Sequence, residues 1–328
     1  MFSVKHRHTE KCHHTHENAP EIVQKGIDDL TDPVLLQEIQ ALASAYENVF
    51  AGLSRAATTA RNAMLATQQI GTLDLRAFQE VFAREVVQNL NRSLTEVTDE
   101  TRSQVLRDAE TAVRELPDRL GVQFSFDATD PRAIQWAQTR AGSLIRQIES
   151  EALTAVRGII GEAVGGEFTV IEAASRIRRV VGLHDRWQRA VDNFYETELD
   201  RLQELFPDLG LDALQEMAET RALGYRQELV NSRALTIART EIVASQNVGQ
   251  LIGWLQASDN GFLDLTQAEK EWVTGPDGWV NISVCPVCME LGGERVPVLS
   301  VFSNGEATPP AHPNCRCTMN LVVNTGLE

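Results

Sequence analysis

The sequence predicts a mainly α fold, with long helices followed by a small α+β C-terminal module. Three observations predict it. Apolar residues recur at three- and four-residue spacing over most of the chain up to position 257, which places them on single helical stripes. After Ala257, Gly and Pro become frequent and short β-type runs appear. Four of the five cysteines fall in the last 44 residues, too closely grouped to be scattered core thiols.

The elements follow in order. Residues 1–20 hold five of the seven histidines and one cysteine without apolar periodicity, so they read as a mobile arm. Asp32 caps a helix that starts at Pro33 and carries Leu35, Ile39, Leu42, Tyr46, Val49 and Leu53 on one face to about Ala66. A second helix follows Gly71 through Leu75, Phe78, Phe82, Val86 and Leu90, and a third runs from Ser103 to Leu116, ahead of Pro117. Gly121 to Asp127 alternates like a short strand. Asp130-Pro131 opens a long helix through Ile134, Ile145, Ile148 and Val156 to Ile160, and Gly165-Gly166 ends it. Residues 169–257 are helical with breaks at Gly182 and at Pro207 to Gly210. The β-type runs are 271–273, 279–282, 296–298 and 318–323. The expected organisation is an arm (1–20), an N-terminal helical domain (21–165), a second helical region (166–257) and a Cys-rich module (258–328).

Length and charge bound the function. At 328 residues and 43% apolar, the chain can bury two cores and is not globally disordered. A net charge of −16 argues against wrapping duplex DNA, which needs many basic contacts to phosphate. No apolar run approaches the roughly 20 residues that span a bilayer, so no membrane partner is expected. Met1 to Asn18 lacks an apolar secretion core, which implies synthesis in a cytoplasm where thiols stay reduced.

The cysteines carry the chemistry. Cys285 and Cys288 form C-P-V-C, Cys315 and Cys317 form C-R-C, and His312 lies three residues before Cys315. A two-residue gap lets a tight turn aim two sulfurs at one point, the usual half-site for tetrahedral Zn2+. The candidate ligand sets are Cys285, Cys288, Cys315 and Cys317, or one in which His312 replaces a cysteine. Residues 280–323 contain few large apolar side chains, and a unit of that size needs a metal, a disulfide or a partner to hold together. Structural zinc fits a reducing compartment, with a disulfide or free thiols as the competing readings. The ligand count is already full, which speaks against a catalytic metal with an open position. His6, His8, Cys12, His13, His14 and His16 in the arm are either a second metal site or a polar tail.

These residues resemble a known family. Lys270-Glu271-Trp272-Val273, then C-P-V-C, then Pro309-Pro310-Ala311-His312-Pro313-Asn314-Cys315-Arg316-Cys317 are similar to the C-terminal signature of the phage head-morphogenesis minor capsid proteins, the Mu F-like family. Ile237-Ala238-Arg239-Thr240-Glu241, with Asn247 and Gly249 following, resembles its second hallmark. Gly182 to Trp187 resembles the helix start that precedes it there. The resemblance covers about residues 170–323. It implies a minor capsid protein of a tailed bacteriophage with a structural, assembly role. The implied location is the virion, inside the capsid near the portal, after synthesis in the host cytoplasm. The portal protein is the implied partner, with scaffold, major capsid protein and packaged DNA as further neighbours.

No catalytic residue is expected. The runner-up is a virion-carried metal-dependent nuclease or other effector, with His312 as general base and Asn314 orienting it. Against it, residues 258–328 hold nine acids and three bases, the wrong sign for a polyphosphate cleft. Glu196-Thr197-Glu198 falls in a helical pattern and reads as a charged helix face. Arg239 and Glu241 lie two apart on a helix and cannot face each other. Either they fix the helix against the Cys-rich module through buried contacts, or they are solvated charges. No G-x-x-x-x-G-K-[ST] loop or G-x-S-x-G elbow occurs.

Overall fold

A computed structural model describes residues 33–68, 94–111, 130–164, 170–274 and 285–323, with a few helical positions between 81 and 88. The His-rich arm, Gly121 to Asp127, the run 279–282 and nearly all of the helix expected after Gly71 lie outside the described residues.

The described chain is mainly helical with a three-stranded sheet near its end. We label the helices α1 (Pro33–Gln68), α2 (94–111), α3 (Pro131–Val164), α4 (Val170–Val180), α5 (Asp185–Leu205) and α6 (Leu211–Asp259). The strands are β1 (Ala268–Val273), β2 (Arg295–Pro297) and β3 (Thr318–Val323), with the short helix α7 (Pro286–Leu291) before β2. The chain forms two compact units. Among the described residues, one holds those from Gln37 to Arg102 and from Gln135 to Ala238; the other holds those from Ser103 to Ile134 and from Arg239 onward.

In the first unit α1 buries Ile39, Leu42, Tyr46, Val49, Phe50, Leu53 and Ala57, the stripe its spacing predicts. The turn after α4 explains the break at Gly182. Its φ is +85°, and a Cβ there would meet the Phe50 ring at 3.1 Å, so glycine suits both the backbone and the space. The carbonyls left open at this helix end take cationic donors. Arg226 gives Nη2 to Val181 O at 2.6 Å, and Arg233 gives Nη1 to Gly182 O at 2.7 Å. The partial negative charge of a helix C-terminus offsets a cation there. That accounts for a buried Arg226, whose pKa burial pushes down to about 10. Glu198 of the Glu196-Thr197-Glu198 triplet pairs with Arg201 and Arg221, as a charged helix face does.

One helix start and one short helix differ from expectation. The helix expected from Ser103 is already running at residue 94. Its buried stripe includes Thr101 and Gln104, which interrupt the apolar pattern. Thr101 stays inside because its hydroxyl donates to Val97 O at 2.7 Å, and Gln104 because its amide donates to Asp108 at 2.9 Å. The six-residue α7 is too short for periodicity to reveal.

In the second unit Asp130 caps α3, accepting from Arg132 N at 2.9 Å. Gln256 of α6 donates to the same carboxylate at 3.1 Å. The sheet order is β2-β1-β3, antiparallel throughout, with Trp272 opposite Met319 and Glu271 opposite Arg295. One core gathers Trp254 and Ala257 from α6, Leu263, Ala268, Trp272, Leu291, Val298, Phe302, Met319 and four cysteines. Trp272 and Phe302 meet edge to face with centroids 5.0 Å apart, a favoured aromatic geometry. The small apolar content of 280–323 is thus completed by Trp254, Leu263 and Trp272 from earlier in the chain.

Candidate metal centre

Two tight turns carry four of the donors. At the first, Cys285 caps α7, its Sγ accepting from Cys288 N at 3.4 Å, with Pro286 at the first helical position. At the second, Cys315 N donates to His312 O at 3.1 Å, and Asn314 takes the left-handed φ of 58° that closes the turn. Cys317 lies two residues on, just before β3.

The five side chains predicted from sequence converge. Cys285, Cys288 and His312 form one triad and Cys288, Cys315 and Cys317 another, each with its donor atoms within 4.8 Å of one another. His312 Nε2 is 3.0 Å from Cys285 Sγ and 3.2 Å from Cys288 Sγ. Cys288 and Cys315 sulfurs are 3.7 Å apart, close to the roughly 3.8 Å edge of a tetrahedron with 2.3 Å metal–sulfur bonds. All four of these cysteines are buried, with free thiols. His312 is half-buried. Its Nδ1 lies 2.8 Å from Pro313 O. A carbonyl only accepts, so Nδ1 carries the proton and Nε2 turns a lone pair toward the sulfurs. These donors can hold a metal ion. Hydrogen bonds from Cys288 and Cys317 draw the Cys315 thiol strongly down, and the pairing with Cys315 pushes Cys288 up.

Helix α6 positions the second turn. Thr240 Oγ1 accepts from Asn314 N at 3.0 Å, and the Asn247 amide donates to Cys317 O at 3.2 Å. Seven residues apart, the two lie on one helix face. Arg239 and Glu241 are both buried, so the solvated reading of these charges does not hold. Gly249 lets α2 approach: a Cβ there would stand 2.8 Å from Val105 O and from Asp108 Cβ. Sequence reasoning singled out Thr240, Asn247 and Gly249 as a motif without finding these roles.

Lys270 was missed as a structural residue. It is only 1% exposed; its Nζ donates to Ala307 O at 2.6 Å and stands 5.1 Å from the Phe302 ring centre. Burial pushes its pKa down to about 8. The two-residue period of β1, which buries Ala268, Lys270 and Trp272 together, was the available signal.

No described helix is long and apolar enough to cross a membrane. No family model, curated protein or solved structure matches the chain.

Proposed function

We propose that the chain is a minor capsid protein of a tailed bacteriophage, with a structural role in head assembly at the portal, and that zinc closes its C-terminal module. One observation carries the reading. The two segments that resemble the family's hallmarks lie some 70 residues apart, yet Thr240 and Asn247 hydrogen-bond the loop of His312 to Cys317. A motif pair joined in space is what a shared structural unit requires. Zinc is the favoured ion because soft thiolates with one imidazole suit it, and a reducing cytoplasm keeps those thiols available.

The proposed place is the capsid interior beside the portal protein, with scaffold, major capsid protein and packaged DNA as neighbours. The proposed role is non-enzymatic. A nuclease would need His312 Nε2 as a free base, whereas that atom faces two sulfurs at 3.0 and 3.2 Å. The test is co-expression with the portal and scaffold of the same phage. Sedimentation of the chain with procapsids and no cleavage of plasmid DNA in magnesium or manganese are expected. Exclusion from particles, or DNA turnover lost on His312→Ala, would reject the structural role.

A further inference from the structure

The five donors exceed the four places of a tetrahedral ion, and the backbone distinguishes among them. Cys285 and Cys288 are the first and last residues of one four-residue turn, whose closing N–H is Cys288 N to Cys285 Sγ. His312 and Cys315 are the first and last residues of another, closed by Cys315 N to His312 O. Each turn presents one donor pair at the same i, i+3 spacing. Cys317 belongs to neither. It sits in the chain leading to β3, and its carbonyl is held by Asn247.

We propose that the resident ion is held by Cys285, Cys288, His312 and Cys315, and that Cys317 is a buried thiol beside the centre, not a ligand. This rests on the metal-centre reading above and goes further, fixing three sulfurs and one nitrogen where the sequence leaves four sulfurs equally possible. Three features support it. The proton on Nδ1 is fixed by Pro313 O, so His312 offers Nε2 at no tautomeric cost. That Nε2 stands 3.0 and 3.2 Å from the Cys285 and Cys288 sulfurs. The Cys288–Cys315 separation of 3.7 Å already matches a tetrahedral edge. Cys317 is left to hold the loop through its carbonyl, with its sulfur beside the centre, within 4.8 Å of those of Cys288 and Cys315.

The test uses the full chain in a Cys12→Ser background, so that the arm supplies no thiolate, loaded with half an equivalent of Zn2+ or Co2+. X-ray absorption at the zinc edge is expected to show three sulfur neighbours at about 2.3 Å and one nitrogen at about 2.0–2.1 Å. In the cobalt protein, thiolate-to-metal charge transfer is expected to fall to two thirds in Cys285→Ser, Cys288→Ser or Cys315→Ser. It should be unchanged in Cys317→Ser. A shell of four sulfurs, or a drop to three quarters in Cys317→Ser with His312→Ala spectrally silent, overturns the ligand set while leaving a metal centre in place. Failure to bind either ion overturns the metal-centre reading itself. The absorption measurement needs no further substitution, so a variant that does not fold leaves the answer intact.

Discussion

Gly249→Ala and Gly224→Ala make the same chemical change on the same helix and should act with opposite sign. At Gly224 a Cβ meets nothing within 4 Å. Alanine there should gain the ordinary helix advantage of about 0.5–1 kcal/mol, mostly by restricting the unfolded chain. At Gly249 the new carbon stands 2.8 Å from Val105 O and Asp108 Cβ, and 2.9 Å from Ala109 N. Two of these are backbone atoms and cannot rotate aside. Ordinary carbon contacts lie near 3.5–4.0 Å, so α2 must retreat by roughly 0.7 Å, and a gap of that size forfeits a quarter to a half of each neighbouring dispersion contact. Overpacking of this kind costs about 1–3 kcal/mol. Taking the upper part of that range and subtracting about 1 kcal/mol of helix preference leaves Gly249→Ala less stable by about 1–2 kcal/mol. Urea unfolding followed by far-ultraviolet circular dichroism measures both variants, and hydrogen exchange over residues 101–111 localises the loss. If Gly249→Ala proves as stabilising as Gly224→Ala, the close helix approach is not what the glycine serves.

Four further outcomes follow. Lys270 titrates at about 8 in the fold against 10.5 free, so the unfolded chain holds more protons between those values and stability rises with pH there. The parent's unfolding free energy should therefore rise relative to that of Lys270→Met by about 3 kcal/mol from pH 8 to 10.5; parallel curves would contradict a buried charge. The hydrogen bonds of Asp130 to Arg132 and Gln256 hold its carboxyl below 3.8 against the opposing pull of burial. Asp130→Ala should thus cost about 1–3 kcal/mol at neutral pH, and the deficit should vanish as pH falls through and below 3.8, read from acid unfolding of both proteins. Removing both α6 tethers, as Thr240→Val with Asn247→Ala, should weaken metal binding about 30-fold in competition with a chelating dye, from about 1 kcal/mol per hydrogen bond. Chelation of the bound ion should speed amide exchange at 285–292 and 312–317 while α1 keeps its protection; equal loosening of both would mean the metal holds more than the module.

What the sequence reveals and what it hides divide along a physical line. Features set by neighbours a few residues away were legible. Asp130-Pro131 marks a helix start because a cap and a first-turn proline act within one turn. Cys285 and Cys288 mark a half-site because their spacing alone aims two sulfurs. The α1 stripe from Ile39 to Leu53 is apolar without interruption on its buried face. Features set by a distant partner were not legible. Gly249 looks like a helix weakness until Val105 and Ala109, some 140 residues earlier, are placed against it.

The metal centre shows the same division within six residues. Sequence brings His312, Cys315 and Cys317 forward as equals, since each is a competent donor at short spacing. What separates them is backbone geometry: a 3.1 Å turn bond from Cys315 N to His312 O, and a 3.2 Å bond that commits the Cys317 carbonyl to Asn247. Neither is encoded in the C-R-C motif itself. The second depends on a helix that the chain completes before it reaches the loop. If α6 arranges the second turn, metal affinity should respond to Thr240 and Asn247, which touch no ion, about as it does to hydrogen-bond partners of ligands elsewhere. A response confined to the donor residues would mean that the two turns form the site unaided, and that α6 is only a wall they rest against.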